Sequence, residues 1–222
     1  MDIAPSPSEI VLERDLQALI KQLCVAAGGA VALISGRSIR DVDSIFTDAH
    51  LPVAGQHGLE RRSRTGKITR HDVMSEKLDI ARELLRATTA SHPGLLLEDK
   101  GLSLALHYRL NPSLASFAHR TMRNVAAEIG SEFALQSGKR VVELKPSGKD
   151  KGDAVREFML EEPFCGRTPV FVGDDVTDEH GFLVVNSLEG HSVKVGRGAT
   201  AARWRLDNVG AVKTWLERLD TE

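Results

Sequence analysis

The chain has 222 residues, of which 41% are hydrophobic and 27% charged, the composition of a folded protein rather than a disordered one. Its 29 Lys plus Arg against 31 Asp plus Glu leave a formal net charge of −2, which argues against a nucleic-acid binder acting through bulk positive charge. No apolar run reaches the roughly 18 residues of a membrane span and no signal peptide is read at the start, while two cysteines, Cys24 and Cys165, exclude a disulfide scaffold or a zinc cluster, so a monomeric protein of the reducing cytoplasm is expected.

Residues 9–23 carry Leu12, Leu16, Leu19, Ile20 and Leu23 at amphipathic-helix spacing, and Gly28 and Gly29 end that pattern. Residues 30–34 are continuously apolar over strand length, which suits a parallel strand covered on both faces. Ser35-Gly36-Arg37 breaks the run, and Ile39, Val42, Ile45 and Phe46 resume a helical period. Residues 57–71 are polar and turn-rich, with a hairpin turn predicted at Thr65-Gly66-Lys67. A helix follows at 74–89, then antiparallel strands 95–98 and 102–108 around Lys100-Gly101, a helix at 112–129, and a hairpin over 133–144 turning at Ser137-Gly138. Residues 152–159 read as a helix, 169–172 as a buried strand, Gly173-Asp174-Asp175 as a loop at its carboxyl end, and 192–195 as a short strand after a helix through Phe182, Val185 and Leu188. Helices alternate with buried strands at both ends, so the reading is a doubly wound α/β core formed by 1–56 and 145–222, with an α+β layer of 57–144 inserted into it.

Ligands of open α/β sheets sit at the carboxyl ends of the strands, so the residues there are the candidates. Asp174, Asp175, Asp178 and Glu179 repel one another unless a cation or a hydrogen-bond network intervenes, and an all-oxygen set suits Mg²⁺. The plainer alternative is a solvated loop in which Thr177 caps a helix and Asp178 and Glu179 favour its dipole. Ser35-Gly36-Arg37, between a strand and a helix, offers a hydroxyl and backbone N–H groups to a phosphate, although a plain turn has the same sequence. Lys151 opens a helix, a poor place for a cation unless it faces a phosphate or a carboxylate. In the inserted layer, alternation puts Glu98 with Lys100 and His107 with Arg109 on shared strand faces, with Lys139 and Glu143 on the second hairpin. These charges fit solvated ion pairs as well as a platform for sugar hydroxyls.

The ordered set Ala32-Leu33-Ile34-Ser35-Gly36-Arg37-Ser38, Ala54-Gly55-Gln56-His57-Gly58-Leu59-Glu60, Leu97-Glu98-Asp99-Lys100, His107-Tyr108-Arg109, Val142-Glu143-Leu144-Lys145-Pro146, Lys151-Gly152 and Gly173-Asp174-Asp175-Val176-Thr177-Asp178-Glu179 resembles the haloacid-dehalogenase phosphohydrolases, and closely the trehalose-6-phosphate phosphatases. The resemblance implies a Rossmann-like core with an inserted α+β cap, and Mg²⁺-dependent hydrolysis of trehalose 6-phosphate to trehalose and phosphate in trehalose biosynthesis. It implies Mg²⁺ on Asp174 and Asp175, phosphate contacts from Ser35, Gly36 and Arg37, charge neutralisation by Lys151, and sugar-phosphate contacts from Glu98, Lys100, Arg109, Lys139 and Glu143. The family's first strand ends in Asp-x-Asp-Gly-Thr, the source of nucleophile and general acid, and these 222 residues contain no such motif. Met1-Asp2-Ile3 matches the segment just after it, so the chain is expected to start late and to lack a central core strand. Asp41-Val42-Asp43 has the right spacing but falls on a predicted helix. An inactive sugar-phosphate-binding or regulatory homologue, or a phosphatase for another sugar phosphate, stays open.

Overall fold

The computed structural model describes residues 14–46, 51–71 and 75–219, which form two compact units. The first comprises residues up to 69 and from 150 onward; the second spans Arg70–Lys149. Leu12 and Asp2 lie outside the described residues.

The first unit opens with helix α1 (Arg14–Ala26), strand β1 (Leu33–Ile34), helix α2 (Ile39–Ile45) and strands β2 (Val53–Gly55), β3 (Glu60–Arg62) and β4 (Ile68–Arg70). The second holds α3 (Ser75–Ala90), β5 (Leu96–Asp99), β6 (Leu104–His107), α4 (Ala115–Ile129), β7 (Phe133–Gly138) and β8 (Val141–Pro146). The chain returns to the first unit with α5 (Lys151–Met159), β9 (Val170–Gly173), α6 (Glu179–Ser187), β10 (His191–Val195), β11 (Trp204–Leu206) and α7 (Val209–Leu219). Among the described residues no helix is long and apolar enough to cross a membrane.

The parallel strands expected of the first unit are present in two groups. β1 pairs with β2, and β9, β10 and β11 pair in the order β11-β10-β9. Among the described residues β1 and β9 each pair with one neighbour only. Helix α5 supplies a core to both groups: Ala154 and Phe158 pack with Ala54 and Ile34, and Val155 packs with Val184, Val185 and Phe171. Leu19 is buried on α1, whose Ile20 and Cys24 pack against Ile39, Val42, Leu51 and Val53.

The units divide later in the chain than the sequence suggests. The pattern places a boundary after residue 56, but β3 pairs antiparallel with β2 through Val53↔Arg62 and Gly55↔Glu60, and this ladder holds the following residues in the first unit. Arg62 adds a fork to Asp43 at 2.7 and 2.8 Å, tying β3 to α2. Asp43 is thereby committed to structure, and so is Asp41, whose N–H and carboxylate both bond the Ser38 side chain that caps α2.

In the second unit α3 and α4 bury Leu78, Leu85, Met122 and Val125 against Leu104, Leu106, Val142 and Leu144 of a sheet ordered β5-β6-β8-β7. The predicted hairpin turn at Ser137-Gly138 is displaced. Gly138 pairs with Val141, so both predicted turn residues belong to the strand and Lys139-Arg140 form the loop, with Arg140 at φ 61°. Lys139 is therefore an exposed turn residue rather than a strand residue. Arg109 likewise lies past the end of β6, where strand alternation no longer sets its face.

Candidate functional site

The acidic loop follows β9 directly, and the structure gives its four carboxylates different fates. Asp178 is buried; one oxygen accepts from Lys151 Nζ at 2.6 Å and the other from the Asp175 N–H at 2.8 Å. Asp175 caps the short turn Val176–Asp178, accepting from the Val176 N–H at 2.7 Å and the Thr177 hydroxyl at 3.4 Å. The cap is thus Asp175, not Thr177. Glu179 accepts from the Ala201 N–H at 2.7 Å and the Thr200 hydroxyl at 3.1 Å. Asp174 is exposed, and its carboxylate has no hydrogen bond or ion pair among the described residues. Its carbonyl accepts from the buried Lys194 Nζ at 2.6 Å, which also lies 3.9 Å from Glu179. Two buried lysines thus relieve the repulsion that the sequence sets up.

Two glycines are required by these contacts. A Cβ at Gly173 would lie 2.3 Å from Asp178 Cγ, so the strand must end in glycine for Asp178 to fold back onto it. A Cβ at Gly152 would lie 2.8 Å from the His180 carbonyl, so glycine after Lys151 lets α5 and α6 approach.

Lys151 begins α5 behind the cap Asp150, which accepts from the Gly152 and Asp153 N–H groups at 2.7 and 3.0 Å. Its ammonium is placed against the helix dipole, and Asp178 compensates. Asp150 also meets His180 Nδ1 at 2.7 Å. Burial pushes the Asp150 carboxyl up, but the Asp153 N–H, His180 and the Gly152 N–H together hold it below the usual range.

Ser35-Gly36-Arg37 forms the turn between β1 and α2, where the sequence places it. α2 starts at Ile39, Ser38 is its cap, and the Ile39 N–H donates to the buried Glu60 carboxylate at 2.7 Å. The Ser35 turn is held by strand neighbours: Ser35 N–H donates to Ala54 at 2.8 Å and its carbonyl accepts from the His57 N–H at 2.9 Å. Ser35 Oγ accepts from the Arg37 N–H at 3.1 Å, which leaves the hydroxyl proton to donate elsewhere. Glu60 and Lys194 are the structural contributors to this region that sequence reasoning missed. A buried charge on a short strand was the signal available for Lys194.

The second unit carries a polar sheet face opposite its helices. Leu104 and Leu106 face the core, so Ser103, Ala105 and His107 face away from it by alternation. The register sets Glu98, Ala105, Glu143 and Gln136 in one row across the sheet. Glu143 is buried and accepts from the Ser103 hydroxyl at 2.7 Å and from Lys100 Nζ at 3.0 Å. Glu98 meets His107 Nε2 at 2.7 Å. Glu98, Lys100 and Glu143, predicted as binding residues, are therefore gathered on one face, while Arg109 and Lys139 occupy turns.

Among the described residues no three His, Cys, Asp or Glu side chains converge as a metal-ligand group. Mg²⁺ keeps several waters and takes one or two protein carboxylates, and the open oxygen donor Asp174 suits that role. Asp175 already uses both oxygens in its cap.

The trehalose-phosphatase family profile matches residues 1–209. Trehalose-6-phosphate phosphatase of Escherichia coli (strain K12) is 44% identical over 223 aligned residues, covering 99% of this chain and 82% of its own length. The C-terminal domain of the C. albicans trehalose-6-phosphate phosphatase shares the fold with a TM-score of 0.84 at 20% identity, covering 99% of this chain and 88% of that one. A haloacid dehalogenase-like hydrolase from B. subtilis has a TM-score of 0.64 at 14% identity, covering 94% of each chain.

Proposed function

The chain belongs to the trehalose-phosphatase family of phosphoric monoester hydrolases, with the haloacid-dehalogenase core and cap, and from that premise we propose how its residues serve the hydrolysis of trehalose 6-phosphate to trehalose and phosphate. The observation that carries the reading is the Lys151–Asp178 pair beside the open Asp174 carboxylate. Asp178 engages one donor of the Lys151 ammonium and holds the group in place. The remaining N–H donors neutralise charge that develops on the phosphoryl oxygens. The Ser35 hydroxyl proton donates to a phosphate oxygen, and the adjoining Gly36 and Arg37 shape that turn. Mg²⁺, held through Asp174, supplies further neutralisation at the phosphate when bound. Glu98, Lys100 and Glu143 recognise sugar hydroxyls, since ionised carboxylates accept and the ammonium donates. Arg109 and Lys139, on turns of the same unit, add positive charge for the sugar phosphate. The setting proposed is the cytoplasm, with a small-molecule substrate.

A second reading rests on one specific observation: the 222 residues hold no Asp-x-Asp-Gly-Thr. Asp41 and Asp43 do not replace it, because their carboxylates are taken by Ser38 and Arg62. Among the described residues those named here bind and neutralise a phosphate and none is placed as the attacking carboxylate, so the second reading is a sugar-phosphate binder. The experiment compares Mg²⁺-dependent phosphate release from trehalose 6-phosphate by the 222-residue chain and by the same chain preceded by an apolar strand ending in Asp-x-Asp-Gly-Thr. Many orders of magnitude more turnover in the second form is expected. Comparable turnover in both would mean that another carboxylate attacks. A panel of other phosphorylated disaccharides on the extended form tests the substrate, and a better turnover of any of them would displace trehalose 6-phosphate.

A further inference from the structure

We propose that His107 is a positioning residue for sugar binding: it holds the Glu98 carboxylate on the polar face of the β5-β6-β8-β7 sheet so that one oxygen is presented to a ligand hydroxyl. This rests on the sugar-recognition reading of that face. The two glutamates of the row are held differently. Both oxygens of Glu143 are occupied, one by the Ser103 hydroxyl and one by Lys100. Glu98 Oε2 accepts from His107 Nε2 at 2.7 Å, and Oε1 takes no hydrogen bond among the described residues. An ionised carboxylate only accepts, so the proton in this contact belongs to the imidazole.

The neighbours explain why a tether is needed. Lys100 follows β5 two residues after Glu98 and acts on its carboxylate, and a flexible glutamate would otherwise turn toward that ammonium and compete with Glu143 for it. Ala105, directly between Glu98 and Glu143 in the register, has no side chain long enough to hold either apart. His107 sits on the inner strand β6, with a side chain only 7% exposed against 28% for Glu98, so the more buried partner anchors the more exposed one. The charged groups acting on Glu98 are His107 from β6, Lys100 just past the end of β5 and Glu143 from β8. The hydrogen bond from His107, opposed by burial and helped by Lys100, holds the Glu98 carboxyl below the usual range. Glu98 therefore stays an acceptor across neutral pH.

The test uses the whole chain, with His107→Ala and His107→Gln, and two readouts. Calorimetric titration with trehalose 6-phosphate should show His107→Ala weakening binding on the order of tenfold. His107→Gln, which keeps an N–H donor, should recover most of that loss. Carboxylate NMR titration should show the Glu98 pKa rising in His107→Ala and largely restored in His107→Gln. Thermal unfolding of His107→Gln close to that of the parent keeps the comparison interpretable if the alanine variant fails to fold. Equal affinity in all three proteins, or an unmoved Glu98 titration, overturns the proposal. Failure of the parent chain to bind trehalose 6-phosphate while Glu98 still responds to His107 would instead count against the substrate, with the tether upheld.

Discussion

Replacing Lys151 by Met removes the ammonium from a buried pair while keeping a stem of similar length. Lys151 is 7% exposed and Asp178 4%, and their charged atoms are 2.6 Å apart. With an effective dielectric of about 20, a 2.6 Å separation corresponds to an attraction of roughly 6 kcal/mol. Much of that offsets the desolvation of both ions, so the informative quantity is the cost of removing one partner. After Lys151→Met the Asp178 carboxylate remains buried and still accepts from the Asp175 N–H. An uncompensated buried charge costs about 3–5 kcal/mol, and in a protein of this size each kcal/mol lowers Tm by about 2–4 °C. The expected fall is therefore about 6–20 °C by scanning calorimetry. Asp178→Asn should cost a similar amount, because it strands the ammonium instead, and Lys151→Met with Asp178→Asn should cost less than the two losses summed. A coupling energy of about 2–3 kcal/mol is expected from that cycle. A coupling near zero, or a loss below about 1 kcal/mol for Lys151→Met, would refute the reasoning that the pair is desolvated and mutually dependent.

Asp174→Asn should weaken Mg²⁺ binding by the whole chain with little change in Tm, whereas Asp175→Ala should lower stability by about 1 kcal/mol through loss of the cap; the reverse pattern in calorimetric Mg²⁺ titration and unfolding would exchange their roles. Glu98 has a folded pKa below its unfolded one, so its stabilising contribution is present above about pH 4.3 and is lost as pH falls through the lower folded value. Urea unfolding across pH 2–6 should therefore show an acid limb that His107→Ala flattens, and an unaltered limb would deny the link. Glu143→Ala should raise KM or lower kcat/KM for trehalose 6-phosphate in a chain carrying the Asp-x-Asp-Gly-Thr strand, by an amount worth about 1–3 kcal/mol, and unchanged kinetics for both Glu98→Ala and Glu143→Ala would return that face to plain solvation.

Local sequence determined much of this architecture. The helical spacing of Leu16, Leu19, Ile20 and Leu23 is the spacing of α1, the strand-length apolar run before Ser35 contains β1, and the run before Gly173 overlaps β9, which extends through that glycine. The motifs around Ser35, Lys151 and Asp174 were legible because residue type and position along a strand or helix constrain the chemistry within a few residues. Tertiary structure decided which of those groups remain available. Asp178 is committed because Lys151, 27 positions earlier, reaches it, and the Asp174 segment is held by Lys194, 20 positions later. The same holds for boundaries and turns: β3 joins the first unit by pairing with β2, and the second hairpin turns at Lys139-Arg140 because Gly138 pairs with Val141. Periodicity sets which face a side chain occupies, but it carries no information about the partner waiting there. A buried carboxylate or ammonium takes its state from that partner, and the folded chain alone brings the two within hydrogen-bonding distance.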